Sequence, residues 1–437
     1  MHTLEQLRRG DLAGATRLDL SCGLTELPPE VLGLADSLEV LNLSGNRLTT
    51  LPAWLPRLQR LKVVFASDNP FTILPEVLGD CPALEMVGFK ACRITRVPAA
   101  ALSPALRWLI LTDNAIDTLP DAVGERPRLQ KLMLAGNRLQ ALPEGLAGAQ
   151  RLELLRISAN RFERLPDWLL RLPRLSWLAL AGNPLGWAVP PLQLPAVDWG
   201  DLTLGEPLGE GASGRALRAH VAGRADALAL KLFKGVVTSD GLPEHEMAAG
   251  GAAGAHPALC TPVAWLRGHP DGVQGMLLPL IPPGHVRLAG PPSLSSCTRD
   301  VYPDGWRLAP GPALRLLRGM ADAMAHLHGH GVVHGDLYAH NILWNPATGD
   351  AMLSDFGAAA LLPADQPALA RALQALEVRS FGCLLEELGD RLDVLPGDRL
   401  HAMMAGLAAS CLDTHPGARP SMADVSRQLF KEVSCSC

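Results

Sequence analysis

Over the first 190 residues the apolar positions follow neither a helical period nor simple alternation. Leu-Pro pairs begin at Leu27, Leu51, Leu74, Leu119, Leu142 and Leu165, with Val97-Pro98 in the remaining slot, at intervals of 22 to 24 residues. A polar marker keeps phase with them: Asn46, Asn69, Asn114, Asn137, Asn160 and Asn183, with Cys22 and Cys92 in the other two slots. Around each marker stands L-x-x-L-x-L-x-x-N, as in Leu129-Gln-Lys-Leu132-Met-Leu134-Ala-Gly-Asn137. A unit of about 23 residues buries such leucines only by stacking on its neighbours, and the Asn or Cys side chain can satisfy backbone groups inside the turn. A leucine-rich helical array would not hold two markers in phase. The pattern predicts seven to eight stacked repeats filling residues 1–195.

The period ends at Asn183-Pro184, and the proline-rich stretch 184–200 reads as a stiff, short linker. Beyond it the pattern changes. Gly209-Glu-Gly211-Ala-Ser213-Gly214 is followed by a strand-like run, Arg215 to Val221, so the glycines sit at a hairpin tip able to fold over phosphates rather than opening a helix. Ala227-Leu-Ala229-Leu-Lys231 supplies a further strand. The predicted organisation is repeats over 1–195, a second domain over 201–430 and a tail over 431–437.

The repeat pattern resembles the leucine-rich repeat family over roughly residues 15–190. That resemblance implies an α/β solenoid, a parallel-β horseshoe. In L-x-x-L-x-L the positions flanking the core leucines would face the concave side, because strand side chains alternate. Phe65, Met86, Trp108, Ile110, Met133 and Trp177 stand there with Val63 and Leu154, among isolated cations Lys90, Lys131 and Arg156. Such a stripe is expected to grip a protein partner or the chain's own second half. The competing reading is that some of these rings lie over neighbouring strands and stabilise the sheet. Trp54 and Trp168 recur at one convex slot and are expected in the core.

Composition narrows the function classes. The 437 residues carry 39 basic against 44 acidic side chains. Residues 1–195 hold 21 basic and 19 acidic, and residues 196–437 hold 18 and 25. Neither half has the basic excess of a nucleic-acid binder. No run of 18 apolar residues exists to cross a membrane, and Met1 to Arg9 lacks the apolar core of a secretory signal. Seven cysteines are scattered without C-x-x-C pairs, and Cys435 and Cys437 fall in the tail, which predicts a reducing, cytoplasmic chain without disulfides or zinc. Abundant Ala, Leu, Arg and Pro beside six lysines suggest a bacterial gene.

The second half then shows His334-Gly335-Asp336-Leu337-Tyr338-Ala339-His340-Asn341, followed by Ser354-Asp355-Phe356-Gly357. Together with the glycines, Lys231, Ser380-Phe381-Gly382 and the run Cys411-Leu412-Asp413 to Pro416, Arg419 and Pro420, these resemble the eukaryotic-type protein kinase family. The resemblance implies a bilobal α+β fold using ATP and Mg²⁺. It assigns Lys231 to the α/β-phosphates, with an acid on the next helix as its partner: Glu246, or Glu244 as the fallback. Gly209, Gly211, Ser213 and Gly214 would cover the phosphates, and Ala216 and Ala229 would line the adenine slot. Asp336 would accept or orient the substrate hydroxyl proton, and Asn341 and Asp355 would hold the metal. His334 and Phe356 would pack the two loops. His326, His328, His330, His334 and His340 cross a helix end and a loop, which argues against a metal cluster.

Four features depart from the family. Gly335 replaces an arginine that reads phosphate on the activation segment, and Ala358 to Leu376 contains no Ser, Thr or Tyr. The segment is short and has no A-P-E before Glu377, which stands where the large helix would begin, so Arg419 lacks its usual glutamate. Tyr338 stands where Ser/Thr kinases keep a lysine, and His340, if protonated, could compensate. Ser293, Ser295, Ser296, Thr298 and Tyr302, in the Pro/Gly-rich insert 282–312, are candidate autophosphorylation sites. The favoured reading is an ATP- and Mg²⁺-dependent protein kinase, Ser/Thr rather than Tyr, with the repeats docking a protein. The alternatives are a pseudokinase scaffold and, third, a small-molecule phosphotransferase, since H-G-D also resembles aminoglycoside kinases.

Overall fold

Each L-x-x-L-x-L stretch forms one three-residue strand. The computed structural model describes residues 2–187, 194–211, 213–235, 238, 240–395 and 397–431. A short helix α1 (Leu4–Arg9), capped by Thr3 and ended by Gly10, precedes β1 (Arg17–Asp19), β2 (Val40–Asn42), β3 (Val63–Phe65), β4 (Met86–Gly88), β5 (Trp108–Ile110), β6 (Lys131–Met133) and β7 (Leu154–Arg156). Each of these strands pairs in parallel with the next in the chain. Their central residues, among them Leu41, Val64, Leu109, Leu132 and Leu155, are fully buried. Each such side chain contributes about 1.5–3 kcal/mol relative to exposure. The Leu-Pro pairs have a backbone role too. Pro75, Pro98, Pro120 and Pro143 take extended geometry and start the 3-10 turns that return the chain to the next strand.

The in-phase asparagines join consecutive repeats. Asn137 Nδ2 donates to the carbonyls of Leu111 and Leu134, both at 2.9 Å, and its Oδ1 accepts from the Ile116 amide at 3.1 Å. Asn69 and Asn160 repeat this geometry. Cys92 fills the same slot, its thiol donating to Ala66 O at 3.2 Å. Cys22, in the first such slot, is exposed.

Compactness divides the chain into residues 1–172 with 183–185, and residues 173–182 with 186–437. The last repeat strand, β8 (Trp177–Ala179), therefore belongs to the second unit, earlier than the expected boundary at 195. The expected linker 184–200 also changes: residues 188–193 lie outside the described ones, and β9 (Ala196–Asp198) is a strand of the second unit. It pairs in parallel with β13 (Ala264–Arg267) in a sheet ordered β10-β11-β12-β14-β13-β9. Here β10 is Leu202–Glu210, β11 Gly214–Val221, β12 Leu228–Phe233 and β14 Gly275–Pro279, all antiparallel neighbours, with α2 (Pro243–Ala253) after β12. Ala219, Leu230, Leu232, Leu266 and Leu277 form its core.

The second lobe is helical. It runs β15 (Val286–Arg287), α3 (Pro310–Gly329), β16 (Val332–Val333), β17 (Ile342–Trp344), β18 (Ala351–Leu353), β19 (Ala360–Leu361), α4 (Pro367–Gly389), α5 (Arg399–Cys411) and α6 (Met422–Lys431). Met320, Met324, Leu327, Phe381 and Met404 lie in its core. Helix α4 begins ten residues before Glu377, not near Ser380 as the motif suggests, so only residues 358–366 separate the Asp355-Phe356-Gly357 motif from it. Glu377 is thus a buried mid-helix residue. The insert 282–312 is packed rather than loose: Thr298 and Tyr302 are buried, and of the five candidate hydroxyls only Ser295 is exposed. The tail 432–437, with Cys435 and Cys437, lies outside the described residues. Among the described residues no helix is long and apolar enough to cross a membrane.

Candidate active site

Strand β12 presents a lysine away from the core because its alternation buries Leu228, Leu230 and Leu232 and turns Ala229 and Lys231 to the other face. A cleft of about 660 Å³ opens there, within the range of small-molecule sites. Gly209, Gly211, Ser213, Gly214, Ala216 and Ala229 line it, as do Lys231, Glu246 and Asp355. The glycines form a hairpin tip as expected, closed by the Gly211 amide on Gly214 O at 2.9 Å. Of them only Gly214 is demanded by its neighbours, since a Cβ there would stand 2.4 Å from Leu232 O. Gly209 and Gly211 face open space.

Lys231 Nζ lies 2.5 Å from Glu246 Oε1. Glu244, the fallback, is exposed. Burial opposes the Lys231 charge, but Glu246, Asp355 and Asp240 outweigh it and hold the ammonium above its ordinary value. Burial likewise pushes the Glu246 carboxyl up to about 7, against the pull of Lys231 and with that of Asp355 and Asp240. Three carboxyl groups thus surround one ammonium, and Glu246 Oε2 is buried with no hydrogen-bond partner. Among the described residues no group of three or more His, Cys, Asp or Glu side chains is placed to hold a metal ion. A hard divalent cation would find here only the oxygen donors of Asp355 and its neighbour Asn341, with its other ligands supplied from outside the chain.

The catalytic-type loop is held from several sides. Asn341 Nδ2 donates to Asp336 Oδ2 at 2.9 Å and to Asp336 O at 3.0 Å, leaving the amide oxygen as the acceptor of that side chain. Asp355 takes a left-handed conformation, φ 64°, and its Oδ1 accepts from the Gly357 amide at 3.3 Å. His334 and Phe356 pack edge to face at 4.9 Å, and His334 Nε2 meets Ser354 O at 3.1 Å, which ties the two loops. The other histidines of the apparent cluster have different hydrogen-bond partners, His326 to Ala253 O, His328 to Glu377 and His330 to His326 O, although the His326 and His330 rings lie 4.0 Å apart.

Several residues that organise the loop carry no motif. Asp300, in the insert, is 2.7 Å from His340 Nδ1 and also accepts the His340 amide. Burial opposes the His340 charge, while Asp300, Asp336 and Asp355 raise its pKa overall. Glu377 Oε1 accepts the Gly335 amide at 2.5 Å, and its Oε2 lies 2.9 Å from His328 Nε2. Arg419, lacking the family's glutamate, donates to the carbonyls of Ala375, Asp413 and Pro173. A hydrophobic or charge pattern signals none of these pairings, because the partners are distant in sequence.

The expected concave stripe is only partly available. Trp177 is 1% exposed and Met86 2% exposed, so neither is a free binding residue. Trp177 is stacked on Tyr338. On the same strand as Met86, Gly88 leaves room for the Phe65 ring of the preceding strand: a Cβ at Gly88 would stand 2.6 Å from Phe65 Cδ1. That overlay of Phe65 is the sheet-stabilising arrangement. Phe65, Trp108, Ile110 and Met133 remain half-buried. Lys131 Nζ sits 4.1 Å from the Trp108 ring centroid, a cation–π contact. Trp54 and Trp168 are half-buried rather than core, each leading a 3-10 turn.

Comparison with known proteins agrees with both halves. Residues 37–58 and 127–185 match leucine rich repeat families, and residues 294–379 match the protein kinase domain family. The kinase match begins after the glycine hairpin and Lys231. The chain is 34% identical over 283 residues to the serine/threonine-protein kinase PkaA of Streptomyces coelicolor, an alignment covering 52% of this chain and 49% of that protein. The chain thus spans about half the length of the curated relative it matches.

Proposed function

We propose that this chain of leucine-rich repeats joined to a protein kinase domain is an ATP- and Mg²⁺-dependent protein kinase acting on Ser/Thr hydroxyls in the cytoplasm. The observation that carries the reading is the buried Lys231–Glu246 pair in one cleft with Asp355. Phosphoryl transfer asks a protein for positioning and charge neutralisation rather than covalent chemistry. Lys231 binds the α/β-phosphates, held in place by Glu246. The hairpin from Gly209 to Gly214 covers the phosphates, and Ala216 and Ala229 leave width for the base.

Asp336 orients the substrate hydroxyl and takes its proton as the oxygen bonds to the γ-phosphorus and the bond to the β-phosphate oxygen breaks. Asn341 fixes one Asp336 oxygen, so the carboxylate faces one way. Mg²⁺ would be held by Asp355 and the Asn341 amide oxygen and would supply charge neutralisation on the phosphates. His340, whose pKa burial lowers but Asp300, Asp336 and Asp355 raise overall, takes in its protonated form the cationic role that Tyr338 cannot.

The half-buried concave residues Phe65, Trp108, Ile110 and Met133 support docking of a protein partner or substrate on the repeats. The test is Trp108→Glu, with loss of the captured substrate expected and full retention counting against docking. A nucleotide-binding scaffold without transfer is the second reading, favoured by the burial of Tyr338 at the lysine position. Incubation with labelled ATP and Mg²⁺ separates the two. Label incorporated by the wild type and reduced about 10²–10⁴-fold by Asp336→Asn supports the kinase. Nucleotide binding without any incorporation supports the scaffold.

A further inference from the structure

The end of the repeat array reaches into the catalytic-type loop. Trp177 Nε1 donates to Leu337 O at 2.9 Å, and its ring stacks on Tyr338 at 4.3 Å with the planes 9° apart. The Arg299 guanidinium carbon lies 5.3 Å from the Trp177 ring centroid. Just before β8, Pro173 O accepts from Arg379 Nε at 3.1 Å and Arg419 Nη2 at 3.3 Å, and Ser176 Oγ accepts from Arg379 Nη1 at 3.1 Å. On β8 itself, Leu178 O lies 2.8 Å from where a Cβ of Gly335 would stand. Residues 173–178 thus meet four separated parts of the second unit.

These contacts occupy places that the sequence leaves vacant. Residues 358–366 hold the start of the loop through the β16–β19 pairing, but they contain no hydroxyl whose phosphate could order the rest of it. Gly335 has no side chain to receive such a phosphate. We propose that Trp177 is a positioning residue for Asp336, and that the last repeat strand braces the residues after Asp336, beyond the β16–β19 pairing that the short activation segment supplies before it.

The inference rests on the protein kinase reading for its effect on rate, but the bracing itself does not. The indole N–H fixes the peptide carbonyl of the residue directly after Asp336. The stack fixes the side chain after that. Misplacing a reacting group by about 1 Å can slow a reaction by about 10²-fold. Because strand β8 belongs to the same compact unit as the loop, the brace is built into that unit, with no modification needed.

The test uses the full chain with Trp177→Leu, Trp177→Phe and, as a repeat-array control of the same residue type, Trp54→Leu. Two readouts are taken: hydrogen exchange of the amides of residues 334–341, and phosphoryl transfer with ATP varied. In Trp177→Leu, exchange in that loop should speed up by at least about tenfold. kcat should fall by at least about tenfold with the KM for ATP within about threefold, because the loop and not the nucleotide cleft is loosened. Trp177→Phe keeps the ring and loses the N–H donor, so it should fold and lie between. Trp54→Leu should leave the exchange of residues 334–341 unchanged.

Unchanged loop exchange in both Trp177 variants would overturn the proposal. So would a kcat loss in Trp177→Leu matched by Trp54→Leu at equal loss of thermal stability. If the wild type transfers no phosphate, the kinase reading fails and the exchange readout alone decides whether Trp177 braces the loop.

Discussion

The imidazole of His340 rests on the carboxylate of Asp300, Nδ1 to Oδ1 at 2.7 Å, and the same carboxylate accepts the His340 backbone amide. Asp300 lies forty residues earlier in a Pro/Gly-rich insert, so this insert supplies one of the carboxylates that raise the His340 pKa. The groups facing the ring are Asp300, Asp336 and Asp355, with the Tyr338 ring 5.0 Å away.

Replacing Asp300 by Asn should therefore shift the pH dependence. Burial works against the imidazolium and the three carboxylates work for it, with a net rise in pKa. Charge and its stabilisation are fully present below the ordinary histidine value of about 6.5 and are lost as pH rises through the raised value. If the charged ring assists transfer, the alkaline limb of the rate profile reports this group. Asp300→Asn should move that limb to lower pH and lower the His340 pKa seen by NMR titration. An unmoved limb would separate His340 from the chemistry.

Lys231→Met leaves Glu246, Asp355 and Asp240 facing one another without the ammonium. Breaking a buried pair in this way costs about 3–5 kcal/mol. The deficit depends on pH with a definite sign. Burial has already pushed the Glu246 carboxyl up to about 7, and protonation below that value removes one of the facing charges. Urea unfolding should show a larger loss at pH 8 than at pH 5.5, and added Mg²⁺ should recover part of it at pH 8. A pH-independent loss would mean the carboxylates do not feel one another.

Gly335 tests why the loop lacks the arginine of its family. Its φ is +72°, and a Cβ would stand 2.6 Å from Ala358 O and 2.8 Å from Leu178 O. Gly331 shares the left-handed geometry, φ +69°, with nothing within 4 Å of an added Cβ. Gly331→Ala should cost about 1–2 kcal/mol for the backbone alone. Gly335→Ala should cost roughly a further 1–3 kcal/mol for the clash. Equal melting shifts for the two variants would remove the steric account.

What the sequence made legible was whatever repeats or sits close together. The phase of Leu-Pro and Asn dictated the stacked strands, because each repeat makes the same local bonds. The Lys231 strand, the glycine hairpin and the loop of Asp336 and Asn341 are each contiguous, so their spacing carried them. The sequence pattern does not separate Trp177 from Trp108, because the two hold the same strand position, while Trp177 lies in the second unit against the catalytic-type loop. Asp300 and Glu377 were invisible for a related reason: each meets the loop over a separation of about forty residues, and neither stands in a pattern. The start of α4 was misjudged because nothing between Pro367 and Glu377 breaks a helix, and a motif expectation stood in place of that local reading.

The asparagine slots offer the plainest energetic test of the repeat architecture. Asn137 satisfies three buried backbone groups belonging to two repeats: the carbonyls of Leu111 and Leu134 and the amide of Ile116. Asn137→Ala leaves all three without their partner, which should cost about 2–4 kcal/mol. Asn137→Cys reproduces the donor that Cys92 already uses toward Ala66 O but accepts poorly from an amide, so its loss should be about half as large. Because each repeat contacts only its neighbours, the damage should concentrate near residues 111–137 and appear there first as faster hydrogen exchange. Urea unfolding followed by tryptophan fluorescence, with exchange mapped along the repeats, measures both. An Asn137→Ala chain as stable as the wild type would show that water replaces the side chain inside the turn.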